Sequence, residues 1–213
     1  MRKLIVLTFL TLDGVMQAPG GPEEDDSGHF KFGGWSAGYW DDVLGNVMTE
    51  QMNHPFDLLL GRKTYDIFAG FWPKAAPDDP AGQVINRARK YVVTHRPVSN
   101  DWKETIPITG DVVEKIKALK NEEGPELQVH GSSNLIQTLL KNDLVDELWL
   151  KTYPVTLGSG KRLFGDGTIP AGFSAIKSQV TPSGVVTTSY ARAGEVKLGS
   201  FAAAGSGEGA GRS

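Results

Sequence analysis

The run Gly61, Arg62, Lys63, Thr64, Tyr65 follows directly on the apolar Leu58, Leu59 and Leu60, and it gathers the residue types that hold a phosphate. Glycine lets the backbone approach a ligand, arginine and lysine bring fixed positive charge, and threonine can donate a hydrogen bond and begin a helix. A solvated strand-to-helix turn would use the same residues, so the run gains weight only from company. A second candidate stands at Gly131, Ser132, Ser133, Asn134, where small residues lead a strand into a helix whose first amides carry partial positive charge. An ordinary helix start reads the same way. Both turns would close strands on the carboxyl edge of one sheet, and two phosphate grips on that edge suit a dinucleotide. A third strand ends in Thr94, His95, Arg96, which offers a hydroxyl, an imidazole and a guanidinium to an extra phosphate such as the 2′-phosphate of NADP.

Other chemistry is poorly supported. Gly158, Ser159, Gly160, Lys161 resembles the end of a P-loop, but Val155 stands where glycine is needed and Arg162 where serine or threonine is needed. The GxGxxG fingerprint fails at Leu163. His29, His54, His95 and His130 show no helical pairing, so no metal site is expected. There is no GxSxG elbow. The absence of cysteine removes thiolate chemistry and disulfides. Three carboxylates are candidate proton donors: Asp41 and Asp42 at the head of an aromatic-rich helix, where they also complement the helix dipole, and Asp13, which also fits an Asx turn.

The elements that must position these residues follow from periodicity. Lys3 to Thr11 is almost continuously apolar, as a strand covered on both faces must be. Gln17 to Gly34 reads as a long mobile loop, and a helix capped by Ser36 carries Tyr39, Val43, Val47 and Met48. Strands at Phe56 to Leu60, Tyr91 to Thr94, Glu126 to Val129 and Leu148 to Tyr153 alternate with helices at Tyr65 to Trp72, Gln83 to Ala88, from Asp111, and after Ser133, where Asn134 and Gln137 are spaced as cap partners. A hairpin joins Phe173 to Val180 with Val185 to Ala191 through Pro182, Ser183, Gly184. The expectation is an α/β fold of three αβα layers, with a mixed, mostly parallel sheet and a C-terminal antiparallel hairpin. One domain spans residues 1–192, and the Gly/Ala/Ser-rich 193–213 is expected to be a disordered tail. A net charge of −3 and a pI near 5.8 argue against nucleic acid or membrane partners, and the short apolar start argues for a cytoplasmic protein.

In their order these motifs resemble the dihydrofolate reductase superfamily, and within it the branch of the RibD C-terminal reductase domain. Thr11, Leu12, Asp13, Gly14 match the branch's Ser/Thr-x-Asp-Gly, and Gly61 to Tyr65 match Gly-Arg-x-Thr-aromatic. Val129, His130, Gly131, Ser132, Ser133, Asn134, Leu135 correspond to the glycine-rich turn, with serines in place of two glycines. Tyr91 to Pro97 resemble the strand and turn beside the adenosine 2′-phosphate, and Pro154 to Phe164 resemble Pro-Val-x-Leu-Gly-x-Gly-x-x-Leu-Phe. The resemblance covers residues 2 to 191. It implies an NADPH-dependent, homodimeric reductase acting on a small polar C=N or C=O compound, pterin-like or like the riboflavin precursor. Because the chain lacks the zinc deaminase domain that usually accompanies this one, a stand-alone role with a different substrate is expected. It further implies that Gly61, Arg62, Lys63 and Thr64, Thr94, His95 and Arg96, and His130 through Leu135 hold the cofactor. Trp35, Tyr153, Leu157, Gly158 and Gly160 would border the substrate with Asp13. The superfamily's helix acid falls near Val43, which leaves Asp41 and Asp42 tied. A protein that binds NADPH or a pterin-like ligand without turning it over is the alternative, and a dimeric scaffold with a vestigial pocket is a third.

Overall fold

In the computed structural model, which describes residues 1–98 and 102–201, the unbroken apolar run at the N-terminus forms β1 (Leu4–Thr11). Then come α1 (Asp42–Met52), β2 (Phe56–Gly61), α2 (Arg62–Phe71), α3 (Pro80–Arg87), β3 (Lys90–Val93), β4 (Thr105–Ile108), α4 (Val112–Asn121), β5 (Glu126–His130), α5 (Ser133–Lys141), β6 (Glu147–Tyr153), β7 (Phe173–Val180) and β8 (Val186–Arg192). They build one eight-stranded sheet in the order β4-β3-β2-β5-β1-β6-β8-β7. The strands from β4 to β6 in that order are parallel, and β8 runs antiparallel between β6 and β7.

Strand alternation explains the layers. Leu4, Val6 and Leu10 of β1 share a core with Leu59, Leu127 and Val129 and with Ile116, Leu119, Ile136 and Leu139 from α4 and α5. On the opposite face Leu58 and Leu60 pack with Tyr65, Ile85 and Met52 from α2, α3 and α1. Leu58, Leu59 and Leu60 are all fully buried, each worth about 1.5–3 kcal/mol of transfer free energy. That is why β2 reads as apolar at every position. The fold is thus the expected mixed αβα sandwich.

The local differences have physical causes. α1 starts at Asp42, with Asp41 as its cap, because residues Ala37–Tyr39 make a separate 3-10 turn and the Ser36 hydroxyl donates instead to Pro19 O at 2.8 Å. β4 was not legible, since it is short and contains Pro107, but as an edge strand it can spare an amide. Gln137 caps nothing; its amide holds Leu163 O and Gly165 N. At the start of the expected tail, Gly172 exchanges backbone bonds of 2.8 Å with Ala193 and Gly194; 202–213 lie outside the described residues.

Candidate active site

β2 and β5 are neighbours, so the turns that close them meet. Gly61 N donates to Ser132 Oγ at 2.9 Å, Ser132 N donates to Thr64 Oγ1 at 2.9 Å, and the Ser132 hydroxyl donates to His130 O at 2.9 Å. Both Gly131 (φ 51°) and Ser132 (φ 55°) adopt the left-handed conformation, which costs a non-glycine residue about 1–2 kcal/mol. Ser132 stays there because its hydroxyl and amide lock the two turns. A side chain at Gly131 would press on Thr64 Oγ1 at 3.3 Å.

The helices that spring from these turns begin differently from the rest. Asp41, Asp79 and Asp111 accept from early amides of α1, α3 and α4. α2 and α5 follow Gly61 and Ser132, and neither of these residues makes a side-chain cap bond. Two helix starts therefore lie side by side with amide donors and partial positive charge toward the carboxyl edge of the sheet. Arg62 reaches sideways to the third turn, donating to Pro97 O at 2.7 Å while pairing with Asp66. Thr94 is buried and its hydroxyl closes the turn onto Arg96, whereas His95 and Arg96 are exposed. Asn134 is exposed and Leu135 faces the core.

The three carboxylates named from the sequence occupy different settings. Asp42 is exposed on the first turn of α1. Asp41 divides its oxygens between Leu44 N at 2.8 Å and Ser183 N at 2.9 Å, tying α1 to the β7–β8 turn. Desolvation pushes its pKa up, but the Leu44 amide and the Ser183 and Thr181 donors outweigh this and hold it well below the usual carboxylate range. Asp13 receives Thr11 Oγ1 at 2.5 Å, Leu157 N at 3.2 Å and Gly158 N at 2.8 Å, and its pKa is lowered chiefly by the Thr11 hydroxyl. It works as a clasp between β1 and the loop after β6.

Tyr153 lies inside an aromatic box, with the Trp35, Phe9 and Tyr39 rings 5.2, 5.3 and 5.8 Å away. It is fully buried in this box, and burial raises its hydroxyl to about 12. Trp35 is half-buried, with its indole N–H on Gln17 O at 2.8 Å. Leu157 packs in the small cluster of Val15, Ala18 and Phe30; Gly158 is exposed. Gly160 passes so close to Val15 and Phe30 that a Cβ would come within 2.7 and 2.8 Å of them.

Several residues here gave no signal in the sequence. The buried Gln17 stitches the 17–34 loop, donating to Asp25 O and Ser27 O and accepting from Lys161 N at 3.0 Å. That loop, expected from the sequence to be long and mobile, is tied internally through Gln17. Asp25, inside the same loop, is paired with both Lys63 and Lys161. Beneath α1 a polar chain runs from Lys151 to the Gln51 side chain, from Gln51 O to Gln128, and on to His130 Nε2. Burial lowers Lys151 to about 7 and, helped by the Lys151 charge, His130 to about 3. Single polar letters inside apolar strands do not announce such a chain.

Two concavities lie away from the joined turns. One, of about 240 Å³, is lined by Leu140, Val145, Phe164 and Phe173; the other, of about 300 Å³, lies at the strands' opposite ends beside Lys3, Glu126 and Glu147. The chemistry of the carboxyl edge identifies the candidate site more securely than hollow volume does.

The profile of the RibD C-terminal domain matches residues 2–187. The chain belongs to the RibD C-terminal domain family. The uncharacterized protein YyaP of Bacillus subtilis (strain 168) is 28% identical over 194 residues, which is 89% of this chain and 94% of YyaP. Among solved structures, a protein of Shewanella sp. PV-4 named provisionally for riboflavin biosynthesis superposes with a TM-score of 0.61 at 24% identity, covering 90% of this chain and 99% of the other. Dihydrofolate reductase from Enterococcus faecalis, complexed with NADP(H) and RAB-propyl, superposes with a TM-score of 0.54 at 16% identity, over 89% and 96% of the two chains. This RibD C-terminal chain therefore has a dihydrofolate reductase-like fold. Among the described residues no cluster is suited to a metal ion, and no helix is long and apolar enough to cross a membrane.

Proposed function

We propose that this chain is an NADPH-dependent reductase of a small polar compound with a C=N or C=O bond. One observation carries the reading: two helix starts whose N-cap residues make no side-chain cap bond are locked side by side by Gly61, Thr64 and Ser132. The donor set suits a dinucleotide diphosphate, because the first amides of α5 and the cations Arg62 and Lys63 at the head of α2 stand on neighbouring turns. Arg62, His95 and Arg96 would hold the adenosine end, and Ser133, Asn134 and Leu135 would offer amides to the pyrophosphate. When bound, NADPH supplies a hydride, and the chain's contribution is to orient and shield. Trp35, Leu157 and Gly158 would border the substrate, which we take to be pterin-like or like a riboflavin precursor.

The test is a fluorescence titration with NADPH, for which saturable binding in the micromolar range is expected. Absence of saturation would remove the reading. Arg62→Ala should weaken NADPH by about tenfold while changing NADH little, since one charge-assisted bond to an extra phosphate is at stake. Equal affinities for NADPH and NADH in both proteins would refute the assignment of Arg62.

The commitment of Asp13 and Asp41 as hydrogen-bond acceptors favours a second reading, a protein that binds NADPH or a pterin-like ligand without turnover. Oxidation of bound NADPH by any of a panel of pterins, pyrimidine-amine sugars and simple carbonyls decides for the reductase. Binding with no oxidation across the panel decides for the sensor.

A further inference from the structure

Two cations from distant parts of the chain converge on one carboxylate. Lys63, in the first turn of α2, places Nζ 2.5 Å from Asp25 Oδ1; Lys161, in the loop after β6, places Nζ 2.6 Å from Oδ2. Ser27 adds its amide at 3.1 Å and its hydroxyl to Oδ1. The carboxylate is the enclosed partner, with its side chain 12% exposed against 51% for Lys63 and 32% for Lys161. Desolvation pushes Asp25 up, but Lys161, Lys63 and Ser27 overcome this and hold it ionised far below the usual range.

An anion held by two ammonium groups, at the foot of a helix whose amides carry no side-chain cap, has the surroundings of a bound phosphate oxygen pair. The side chain of Asp25 is not what sets the path of its own backbone, because Gln17 Nε2 holds Asp25 O at 3.0 Å and Ser27 O at 2.8 Å. Gln17 Oε1 simultaneously fixes the amide of Lys161. Rotation of one side chain would empty the place between the lysines and leave the loop's main ties intact.

We propose that Lys63 and Lys161 form a seat for a phosphate group and that Asp25 is its built-in occupant, displaced when the ligand binds. That the phosphate belongs to NADPH rests on the reading of the joined turns above; the seat itself would accept pyrophosphate. Lys161 thereby becomes a ligand-binding residue, and the Asp25 side chain becomes a gate that competes with the ligand while the loop backbone stays tied by Gln17. Two half-exposed ion pairs of ordinary strength bias such a competition by about tenfold.

Calorimetric titration with pyrophosphate and, separately, with NADPH tests this on the parent, Asp25→Asn, Lys161→Ala and the double variant, with folding of each checked by circular dichroism. Asp25→Asn should bind pyrophosphate about tenfold more tightly than the parent, Lys161→Ala more weakly, and the double variant should lose most of the gain, as coupled residues do. Unchanged or weaker pyrophosphate binding by folded Asp25→Asn overturns the proposal. If that variant does not fold, Lys161→Ala alone decides, and unchanged pyrophosphate affinity overturns it. Tighter pyrophosphate binding without saturable NADPH binding would keep the seat and remove the NADPH reading. Saturable NADPH binding, with neither NADPH nor pyrophosphate affinity responding to Asp25 and Lys161, would do the reverse.

Discussion

Lys151 shows how a single residue can load a fold. It is 1% exposed, its only hydrogen bond to a side chain among the described residues goes to Gln51, and burial brings its pKa from 10.5 to about 7. Between pH 7 and 10.5 the unfolded chain carries a proton there that the folded chain lacks, so this residue makes stability rise with pH across that window. Below pH 7 the folded state holds the buried charge, and its cost is fully present. Lys151→Met keeps much of the stem's volume and removes the charge. It should raise the melting temperature, and more at pH 6 than at pH 9; an equal shift at both would show that the ammonium is better solvated than its surroundings indicate.

At the scale of elements, the two acids at the head of α1 separate by role. Asp41 caps the helix and pins Ser183 of the hairpin turn, while Asp42 faces solvent one residue later. Asp41→Ala should lower the melting temperature and loosen the β7–β8 turn, seen as faster amide exchange at Ser183. Asp42→Ala should leave stability within about 0.5 kcal/mol, as exposed substitutions usually do, and cofactor binding unchanged. A large loss of turnover in Asp42→Ala with stability intact would identify it as the acid. Adjacent aspartates at a helix head are indistinguishable in sequence because the choice is made by a distant partner, here the hairpin turn. The same limit hid Asp25, whose partners are 38 and 136 residues away. What was legible was local and periodic: the apolar β1 and β2, the Asp111 cap, and the glycine and serine turns after β2 and β5. The meeting of those turns followed only once strand order made β2 and β5 neighbours.

For the whole molecule, the sheet ends in a largely exposed ribbon, which α1 touches through Glu50 and Lys177. β7 is exposed along most of its length, and at the hairpin tip Val180 pairs with Val186, both exposed, with Ile176 exposed further along. The register slips between Ala175 and Lys177, and a bulge of that kind discourages edge-to-edge strand addition. Apolar side chains on a bulged edge strand therefore call for a partner that packs against them rather than one that extends the sheet. We propose a second copy of this chain as that partner, in keeping with the homodimer implied by the sequence resemblance. Light scattering coupled to size exclusion should then give twice the chain mass of 23.0 kDa. Val180→Lys should shift the equilibrium toward monomer without unfolding it, since the residue is 68% exposed in the single chain. A parent protein that stays monomeric at every concentration, or a Val180→Lys dimer as tight as the parent's, would place any self-association elsewhere on the surface.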